Sequence, residues 1–273
     1  MCIIKQMFNR CKFNLSSMKK KYFKIYVFSL VFLSSFMFSC QKEITGPQGN
    51  PGPSLTGSLI GHIWLYDQYG TRVYTNLNKA NISIEGKITV SLADSTGKYA
   101  FTGLTTGIYN ISATDSLYGS DKAPLFQFVG GGLVNKDFKL SQIPTFSLAS
   151  CTAVDTVSNA ISYVKVRGTV APDTRARMFV VFVSSAPTVT SNPAYYATYY
   201  SKQIAANATS FNILIPVTDL YAAGINSAST VYFAAYPAAV SFSTTSSYED
   251  YYTGKTYFNA IGSTPLVFNA LVP

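Results

Sequence analysis

The 273-residue chain has few of the residues that most often carry catalysis and metal binding. His62 is the only histidine, and two of the four cysteines, Cys2 and Cys11, lie within the first 17 residues. A single histidine excludes zinc motifs that need two, and it makes any serine–histidine–aspartate site depend on His62 alone. We therefore expect no catalytic residues, no metal site and no cofactor.

Charged residues are also scarce, at 12% of the chain, and the formal net charge of +9 is a poor guide to partners. Seven of the 21 Lys and Arg residues precede Cys40, and no acidic residue does. From Cys40 onward, 14 basic residues face 12 acidic ones, which leaves a net charge of +2. The basic excess belongs to the leader, so nucleic-acid binding loses its electrostatic support.

The first 39 residues have the order of a secretory signal peptide, with Met18 as the predicted start. A basic Met18–Lys21 segment precedes Ile25–Ser39, an uncharged stretch of 15 residues that is shorter than the roughly 20 residues of a membrane-spanning helix. The Ser39–Cys40 junction resembles the lipobox of bacterial lipoproteins. That resemblance implies cleavage before Cys40, acylation of its sulfur and anchoring in the bacterial outer membrane. An uncleaved membrane anchor is the alternative, and both orientations, towards the periplasm or the cell exterior, are open.

Residues 40–56 form a predicted spacer after the lipidated cysteine. Gly46–Ser54 gives three Gly-X-Y triplets, and the register fails at Gly57. Collagen needs long uninterrupted repeats, because only glycine fits the axis of its triple helix. We expect a collagen-like Pro/Gly spacer with extended geometry, with a trimerising stub as the alternative.

Residues 57–142 are predicted to form the first β-sandwich. Leu59, Gly61, Ile63 and Leu65 alternate with Ile60, His62, Trp64 and Tyr66, as expected for a strand with one buried face. The stretch DSTGKYAFTGLTTGIY, residues 94–109, resembles the carboxypeptidase regulatory-like domain. The resemblance implies a transthyretin-like sandwich without an active site. The matching positions are Asp94, Gly97, Tyr99, Phe101, Leu104, Gly107 and Tyr109.

Residues 143–273 are predicted to form a second sandwich of fibronectin or immunoglobulin type. Their strand-like segments are rich in β-branched and aromatic residues, and they follow one another without helical patterns between them. These segments are 161–170, 178–183, 210–217, 230–235 and 266–271. The fold class is therefore all-β, with two tandem antiparallel sandwiches.

The tyrosines are the strongest candidates for ligand contact. Tyrosine combines a large apolar ring with a polar tip, which suits recognition of glycans or proteins. Packing of tyrosines across strands is the alternative. The candidate binding residues are Tyr195, Tyr196, Tyr199, Tyr200, Tyr248, Tyr251, Tyr252 and Trp64.

Three weaker patterns have simpler interpretations. Gly254-Lys255-Thr256 ends like a phosphate-binding loop, but Glu249 stands where the first glycine should be, so a β-turn is expected. Asp115 and Asp121 are expected to be solvated loop charges rather than calcium ligands. Cys151, the one cysteine left beside Cys40, is expected to be a buried apolar residue.

The sequence thus predicts a lipid-anchored envelope protein with a non-catalytic binding or structural role. Its partners would be the membrane and a surface glycan or protein, and not nucleic acid. One alternative is a glycan-binding accessory that uses the tyrosines. The other is a hydrolase, which requires a pocket joining His62 to a carboxylate and a Ser or Thr.

Overall fold

The structure, a computed structural model, describes residues 54–87 and 90–273. The predicted signal peptide, the predicted acylation site Cys40 and most of the predicted spacer lie outside the described residues. Residues Pro53–Pro273 form one compact unit. This unit is built almost wholly of β-strands, which confirms the predicted all-β fold class.

The first half, of which residues 54–87 and 90–142 are described, contains nine strands and one short 3₁₀ helix, Leu77–Lys79, in those ranges. One sheet is centred on β1, with β5 and β2 antiparallel along one side and β8 and β9 parallel along the other. The second sheet has the order β4–β3–β6–β7. The parallel pairs were not predicted from the sequence. The strands are β1 (Thr56–Tyr66), β2 (Arg72–Val73), β3 (Asn81–Ile84), β4 (Val90–Leu92), β5 (Lys98–Thr105), β6 (Gly107–Asp115), β7 (Tyr118–Phe128), β8 (Leu133–Asn135) and β9 (Phe138–Ser141).

The alternation predicted for β1 is present in the structure. Leu59, Ile63 and Leu65 are buried between the two sheets, while His62 and Trp64 lie on the partly exposed face. Successive side chains of a strand point to opposite faces, so the period of two directly marks the core side. The same core contains Tyr99, Phe101 and Leu104 of the 94–109 stretch.

The turn before β5 explains why Asp94 and Gly97 occur together. The Asp94 carboxylate accepts hydrogen bonds from the backbone N–H groups of Thr96 and Lys98 at 2.7 and 2.9 Å. Gly97 has φ +85°, and a Cβ there would lie 2.7 Å from the carbonyl oxygen of Ile63. Both residues therefore shape the backbone, as glycine and aspartate commonly do in turns.

The second half contains nine strands and one short helix, α1 (Val217–Ala222). A three-stranded sheet, β10–β11–β14, faces a four-stranded sheet, β13–β12–β15–β18. β13, the fourth strand of this sandwich in chain order, pairs with β12, the third, as in fibronectin-like sandwiches. The strands are β10 (Leu148–Ser158), β11 (Ile161–Val170), β12 (Arg177–Ser184), β13 (Thr198–Ile204), β14 (Ser210–Pro216), β15 (Thr230–Ala238), β16 (Ser247–Glu249), β17 (Thr256–Phe258) and β18 (Leu266–Leu271).

The four-stranded sheet is buried on both faces. Phe179, Val181 and Val183 of β12 face the sandwich core, whereas Val180 and Phe182 belong to a separate apolar cluster on the other side. Residues of the 185–197 and 239–262 segments cover that outer side. The continuous apolar run MFVVFV is the sequence pattern of a strand buried on both faces.

The segment 239–262 also contacts the first half through hydroxyl and backbone groups. The Ser246 N–H donates to the Lys139 carbonyl at 2.9 Å, and the Ser141 N–H donates to Ser246 Oγ at 2.8 Å. Ser141 Oγ also bonds the hydroxyls of Ser241 and Thr245. These polar groups are largely buried and paired, so they fix the segment against β9 without leaving unsatisfied donors.

Candidate functional site

An open groove of about 530 Å³ lies between the β3–β6–β7 face of the first half and the β16–β17 hairpin of the second. This volume falls within the range of known small-ligand sites. The groove combines tyrosine rings with amide, carboxylate, ammonium and hydroxyl groups. Its lining residues are Ser83, Glu85, Asn110, Ile111, Ser112, Lys122, Pro124, Leu125, Tyr248, Asp250, Tyr251 and Tyr252.

One wall of the groove contains a β-bulge. Tyr109 pairs with Phe126 and Ile111 pairs with Ala123, so Asn110 faces two residues, Pro124 and Leu125. Leu125 has φ +50°, an unfavourable conformation for a leucine, and its N–H donates to Asn110 Oδ1 at 2.9 Å. Bulges of this kind redirect side chains and are common beside binding sites.

Asn110 also orients a carboxylate at the groove. Its Nδ2 donates to Glu85 Oε2 at 2.7 Å, which uses one carboxylate oxygen and fixes the position of the other. Nearby, the hydroxyls of Ser83 and Ser112 bond each other at 2.8 Å across β3 and β6. This wall therefore presents several hydrogen-bonding groups held in place by their neighbours.

The opposite wall is the hairpin β16–β17. The Tyr248 and Tyr257 rings stack with centroids 4.9 Å apart and an interplanar angle of 9°. Lys122 Nζ lies 5.0 Å from the Tyr248 ring centroid, within the range of a cation–π contact. The ammonium group thus links the hairpin to β7 at the edge of the groove.

The hairpin turn carries the two most exposed tyrosines of the groove. Asp250 Oδ1 accepts hydrogen bonds from the N–H groups of Tyr252 and Thr253 at 3.0 and 2.8 Å. These bonds, chiefly those from Thr253, hold the pKa of the Asp250 carboxyl below its ordinary value. Tyr251 and Tyr252 are 72% and 85% exposed, with their rings edge to face at 5.4 Å. Both tyrosines lie in the turn between the end of β16 and the beginning of β17.

The other tyrosine cluster lies behind this hairpin. Tyr196 is 5% exposed, and its hydroxyl donates to the Thr256 carbonyl at 2.7 Å. The Tyr199 ring packs edge to face on Phe258 at 4.7 Å. Tyr200 is half-buried against the sandwich core. Tyr195 is 50% exposed and, like Tyr196, precedes β13 instead of lying in a strand.

Lys255 of the Gly254-Lys255-Thr256 sequence helps to hold the two tyrosine clusters together. Its Nζ donates to the carbonyls of Pro193 and Tyr196 at 2.8 and 2.9 Å. Gly254, with φ +63°, occupies the turn before β17. The segment is therefore the expected β-turn, and its lysine contacts protein carbonyls.

Trp64 lies at a different surface, on the outer face of β1. The His62 ring stacks on it at 5.4 Å, and the Arg72 guanidinium carbon is 3.7 Å from its ring centroid. Trp64 Nε1 also donates to Asp137 at 3.3 Å. The structure thus brings Tyr248, Tyr251 and Tyr252 together but places Trp64 apart from them.

A second groove, of about 630 Å³, brings His62 near Ser91 and Asp94. The Asp94 carboxylate accepts hydrogen bonds from backbone N–H groups of its own turn. Ser91 Oγ accepts a hydrogen bond from the Ala100 N–H at 3.4 Å. The carboxylate nearest to His62 is Asp137, at 3.9 Å. A nucleophile needs a base within hydrogen-bonding distance, and no such bond joins Ser91 to His62 in the described structure.

Metal ligation and reactive cysteine chemistry have little support in the described segments. Residues 54–87 and 90–273 contain no cluster of three or more His, Cys, Asp or Glu side chains able to hold a metal ion. Asp115 and Asp121 are half-buried in β6 and β7, so the expectation of solvated loop charges was wrong, and they accept backbone hydrogen bonds from Leu117 and Lys139. Burial raises the pKa of the Cys151 thiol to about 12, which disfavours the thiolate.

No helix within residues 54–87 and 90–273 has the length and apolarity to cross a bilayer.

Glu85, Asn110 and Lys122 were not among the residues predicted from the sequence. They are ordinary surface residues in three separate segments, and the pairing of β6 with β3 and β7 and the docking of the hairpin bring them together. The Tyr-rich composition of 248–252 was the one visible signal of this site.

Comparisons with known proteins find only distant structural similarity and leave the function open. No protein-family model and no curated protein matches the chain. A solved candidate carbohydrate-binding protein from Bacteroides uniformis is 16% identical with a TM-score of 0.29, covering 79% of this chain and 100% of that one. A DUF3823 family protein from the same species is 15% identical, with a TM-score of 0.26 and coverage of 81% and 100%. Another from Parabacteroides merdae is 13% identical, with a TM-score of 0.22 and coverage of 67% and 91%.

These scores are too low for a functional argument. The strands and sheets themselves place the chain among the all-β proteins with β-sandwich architecture.

Proposed function

We propose that this chain is a lipid-anchored protein of the bacterial envelope that binds carbohydrate, without catalysis, in the groove at the β16–β17 hairpin. The observation that carries this proposal is the exposure of Tyr251 and Tyr252 beside the fixed Glu85–Asn110 pair. Large exposed aromatic side chains are costly to leave in water, and they often mark binding sites.

The chemistry of the groove fits a sugar. A pyranose ring has an apolar C–H face, which packs on an aromatic ring, and an edge of hydroxyls, which need donors and acceptors. Tyr251 and Tyr252 offer rings, while Glu85 and Lys122 offer an acceptor and a donor on the opposite wall. The tyrosine rings would contact the apolar face of the sugar, and the polar groups would bind its hydroxyls.

The support for non-catalytic binding is the way in which the polar groups are used. Asp250 accepts hydrogen bonds from the backbone of its own turn, and one carboxylate oxygen of Glu85 accepts a hydrogen bond from Asn110. Glycosidases use two carboxylates facing each other across the scissile bond, one of them free to exchange a proton. The arrangement of Glu85 and Asp250 therefore favours binding over hydrolysis.

The proposed anchor is the acylated Cys40, at the outer membrane. It is supported by the order of basic segment, uncharged stretch and Ser39–Cys40 junction in the sequence. Several acyl chains on one residue would give lasting attachment, where one chain would not. We further propose that residues 40–56 are the spacer and that residues 57–142 and 143–273 are the two sandwich domains.

A glycan array with matched variants tests the groove. The Tyr251→Ala/Tyr252→Ala double variant should lose at least about tenfold in affinity for any glycan bound by the parent protein. Tyr195→Ala is the control, because Tyr195 is an exposed tyrosine that does not line the groove. Equal affinities for all three proteins, or an array without any hit, would contradict the proposal.

Metabolic labelling tests the anchor separately. Labelled palmitate should enter the parent protein and be absent from a Cys40→Ser variant. Mass spectrometry of the parent should show an acylated N-terminal cysteine. An unlabelled parent protein that keeps residues 18–39 would instead support the uncleaved anchor.

A further inference from the structure

One end of the first sandwich combines exposed apolar side chains with strand and turn segments that carry no charge. Leu55, Ile108, Val129 and Leu133 are each more than half exposed there. We call these four residues the apolar tip. Exposed apolar residues are ordinary when scattered, but several of them at one end of a sandwich indicate an interaction site.

Backbone contacts show that the members of the tip belong to one end of the sandwich. The Thr106 N–H donates to the Leu55 carbonyl at 2.9 Å, and the Gly131 N–H donates to the Thr56 carbonyl at 2.9 Å. Leu133 pairs with Ser58 near the beginning of β1. Ile108 pairs with Gln127, where β6 begins and β7 ends.

The charge distribution restricts the kind of partner. The three segments that build this end, residues 54–61, 100–110 and 123–135, contain no Asp, Glu, Lys or Arg. Glycan-binding sites and the rims of protein–protein interfaces normally contain charged or strongly polar side chains. An end that exposes apolar side chains and carries no charge in these segments fits the hydrocarbon side of a lipid interface.

The residues that flank the tip fit the same partner. Lys87 Nζ lies 6.0 Å from the Tyr109 ring centroid, and the Tyr109 hydroxyl donates to the Thr105 carbonyl at 2.8 Å. Tyrosine and lysine both place an apolar body beside lipid and a polar end at the headgroups.

The position of the tip in the chain supplies the remaining argument. Leu55 lies at the C-terminal end of the proposed spacer, and thirteen residues, 41–53, separate Cys40 from Ser54. Even fully extended, these residues reach at most about 45 Å. We infer that the apolar tip inserts into the membrane surface and forms a second lipid contact beside the acyl anchor. This inference rests on the proposed anchoring at Cys40 and is independent of carbohydrate binding.

Depth-dependent quenching tests the inference in the full-length protein, purified from membranes and returned to phosphatidylethanolamine/phosphatidylglycerol vesicles. A Leu133→Trp variant should be quenched by brominated acyl chains about twofold more than a Val157→Trp variant, because only the first would lie in lipid. Val157 is a matched control, since it is similarly exposed but belongs to the β10 end of the second half. The wild-type protein gives the background from Trp64.

The outcomes separate the tip from the anchor. Adding Val129→Glu to Leu133→Trp should remove the extra quenching, and mass spectrometry of the same samples reports the acyl group on Cys40. Extra quenching without an acyl group would overturn the anchor and support the tip. An acylated protein with equal quenching of both introduced tryptophans would overturn the tip alone. Burial of the tryptophan of the Leu133→Trp variant in a dimer would give a blue-shifted, unquenched spectrum at all vesicle concentrations, which also overturns the inference.

Discussion

Strands β1 and β12 each lie at the centre of a sheet, but they bury different numbers of faces. In β1, Leu59, Ile63 and Leu65 are buried and the alternate positions are partly exposed. In β12, seven of the eight residues are buried. The first half is thus a two-layer sandwich at β1, whereas the second half has a third layer on the outside of β12.

The third layer explains how this protein builds a candidate site. Residues 239–262 cover β12 and β15 with Phe242 and Phe258, and the same segment extends the β16–β17 hairpin towards the first half. Apolar burial on one side of the segment therefore positions the tyrosines on its other side. The comparison predicts that substitutions beneath the third layer affect stability, while those at the groove affect binding alone.

The largest expected effect comes from Phe182 at the centre of the outer cluster. Phe182 is fully buried and contacts the rings of Tyr196, Tyr236 and Phe258. Phe182→Ala should lower the free energy of unfolding by about 3–5 kcal/mol, because it removes apolar contacts and leaves a cavity. Urea denaturation measures this loss. A loss below about 1 kcal/mol would show that the third layer is loosely packed.

A smaller effect is expected from the Asp94–Gly97 turn of the first half. Gly97→Ala should cost at least about 2 kcal/mol, because its positive φ and its proximity to the Ile63 carbonyl both oppose a Cβ. Gly103→Ala is the matched control: Gly103 also has positive φ, but open space surrounds it, so about 1 kcal/mol is expected. Equal losses in urea denaturation would contradict the steric part of this explanation.

Asp121 provides a prediction about pH. Desolvation raises the pKa of its carboxyl above the ordinary 3.8 despite the hydrogen bond from the Lys139 N–H. The folded chain therefore keeps this proton to a higher pH than the unfolded chain. As the pH rises from 3.8 through the raised pKa, ionisation of Asp121 lowers stability.

Asp121→Asn should accordingly be more stable than the parent at pH 7, since the amide resembles the protonated acid. The difference should shrink as the pH falls below 3.8, where Asp121 is protonated in both the folded and the unfolded chain. Thermal unfolding of the pair at several pH values measures it. A variant that is less stable at pH 7 would mean that the Lys136 and Lys139 charges outweigh desolvation.

The smallest expected effect on stability comes from Tyr252. Its ring is largely solvent-exposed, so Tyr252→Ala should change the free energy of unfolding by less than about 0.5 kcal/mol. The same denaturation experiment checks this value. A large loss would indicate that the ring serves packing, and the binding role would lose its main support.

Much of the fold is visible in the sequence because local patterns report burial directly. The alternation of β1 and the bounds of two predicted strands, Ile161–Val170 and Leu266–Leu271, agree with the structure. The parallel pairing of β1 with β8 and β9 was not predicted, because strands of three and four residues carry too little pattern to specify partners.

The candidate site is less visible, because it depends on contacts between distant segments. Tyr196 and Tyr252 have the same composition signal, yet one supports the hairpin from beneath and the other is exposed at its turn. Their difference follows from the docking of 239–262, which no local spacing encodes. Glu85 and Asn110 belong to the site because Asn110 bonds both the Glu85 carboxylate and the bulge at Leu125, and no local pattern in the sequence marks these contacts.

Hydrogen exchange with and without a glycan from the array would test the central claim most directly. Carbohydrate binding in the groove predicts slower exchange at backbone amides of 110–112, 122–125 and 248–253, the segments that form its two walls. Exchange should be unchanged around Trp64 and at 195–200. Protection confined to the Trp64 face, with none in the hairpin, would contradict the claim that this groove binds carbohydrate.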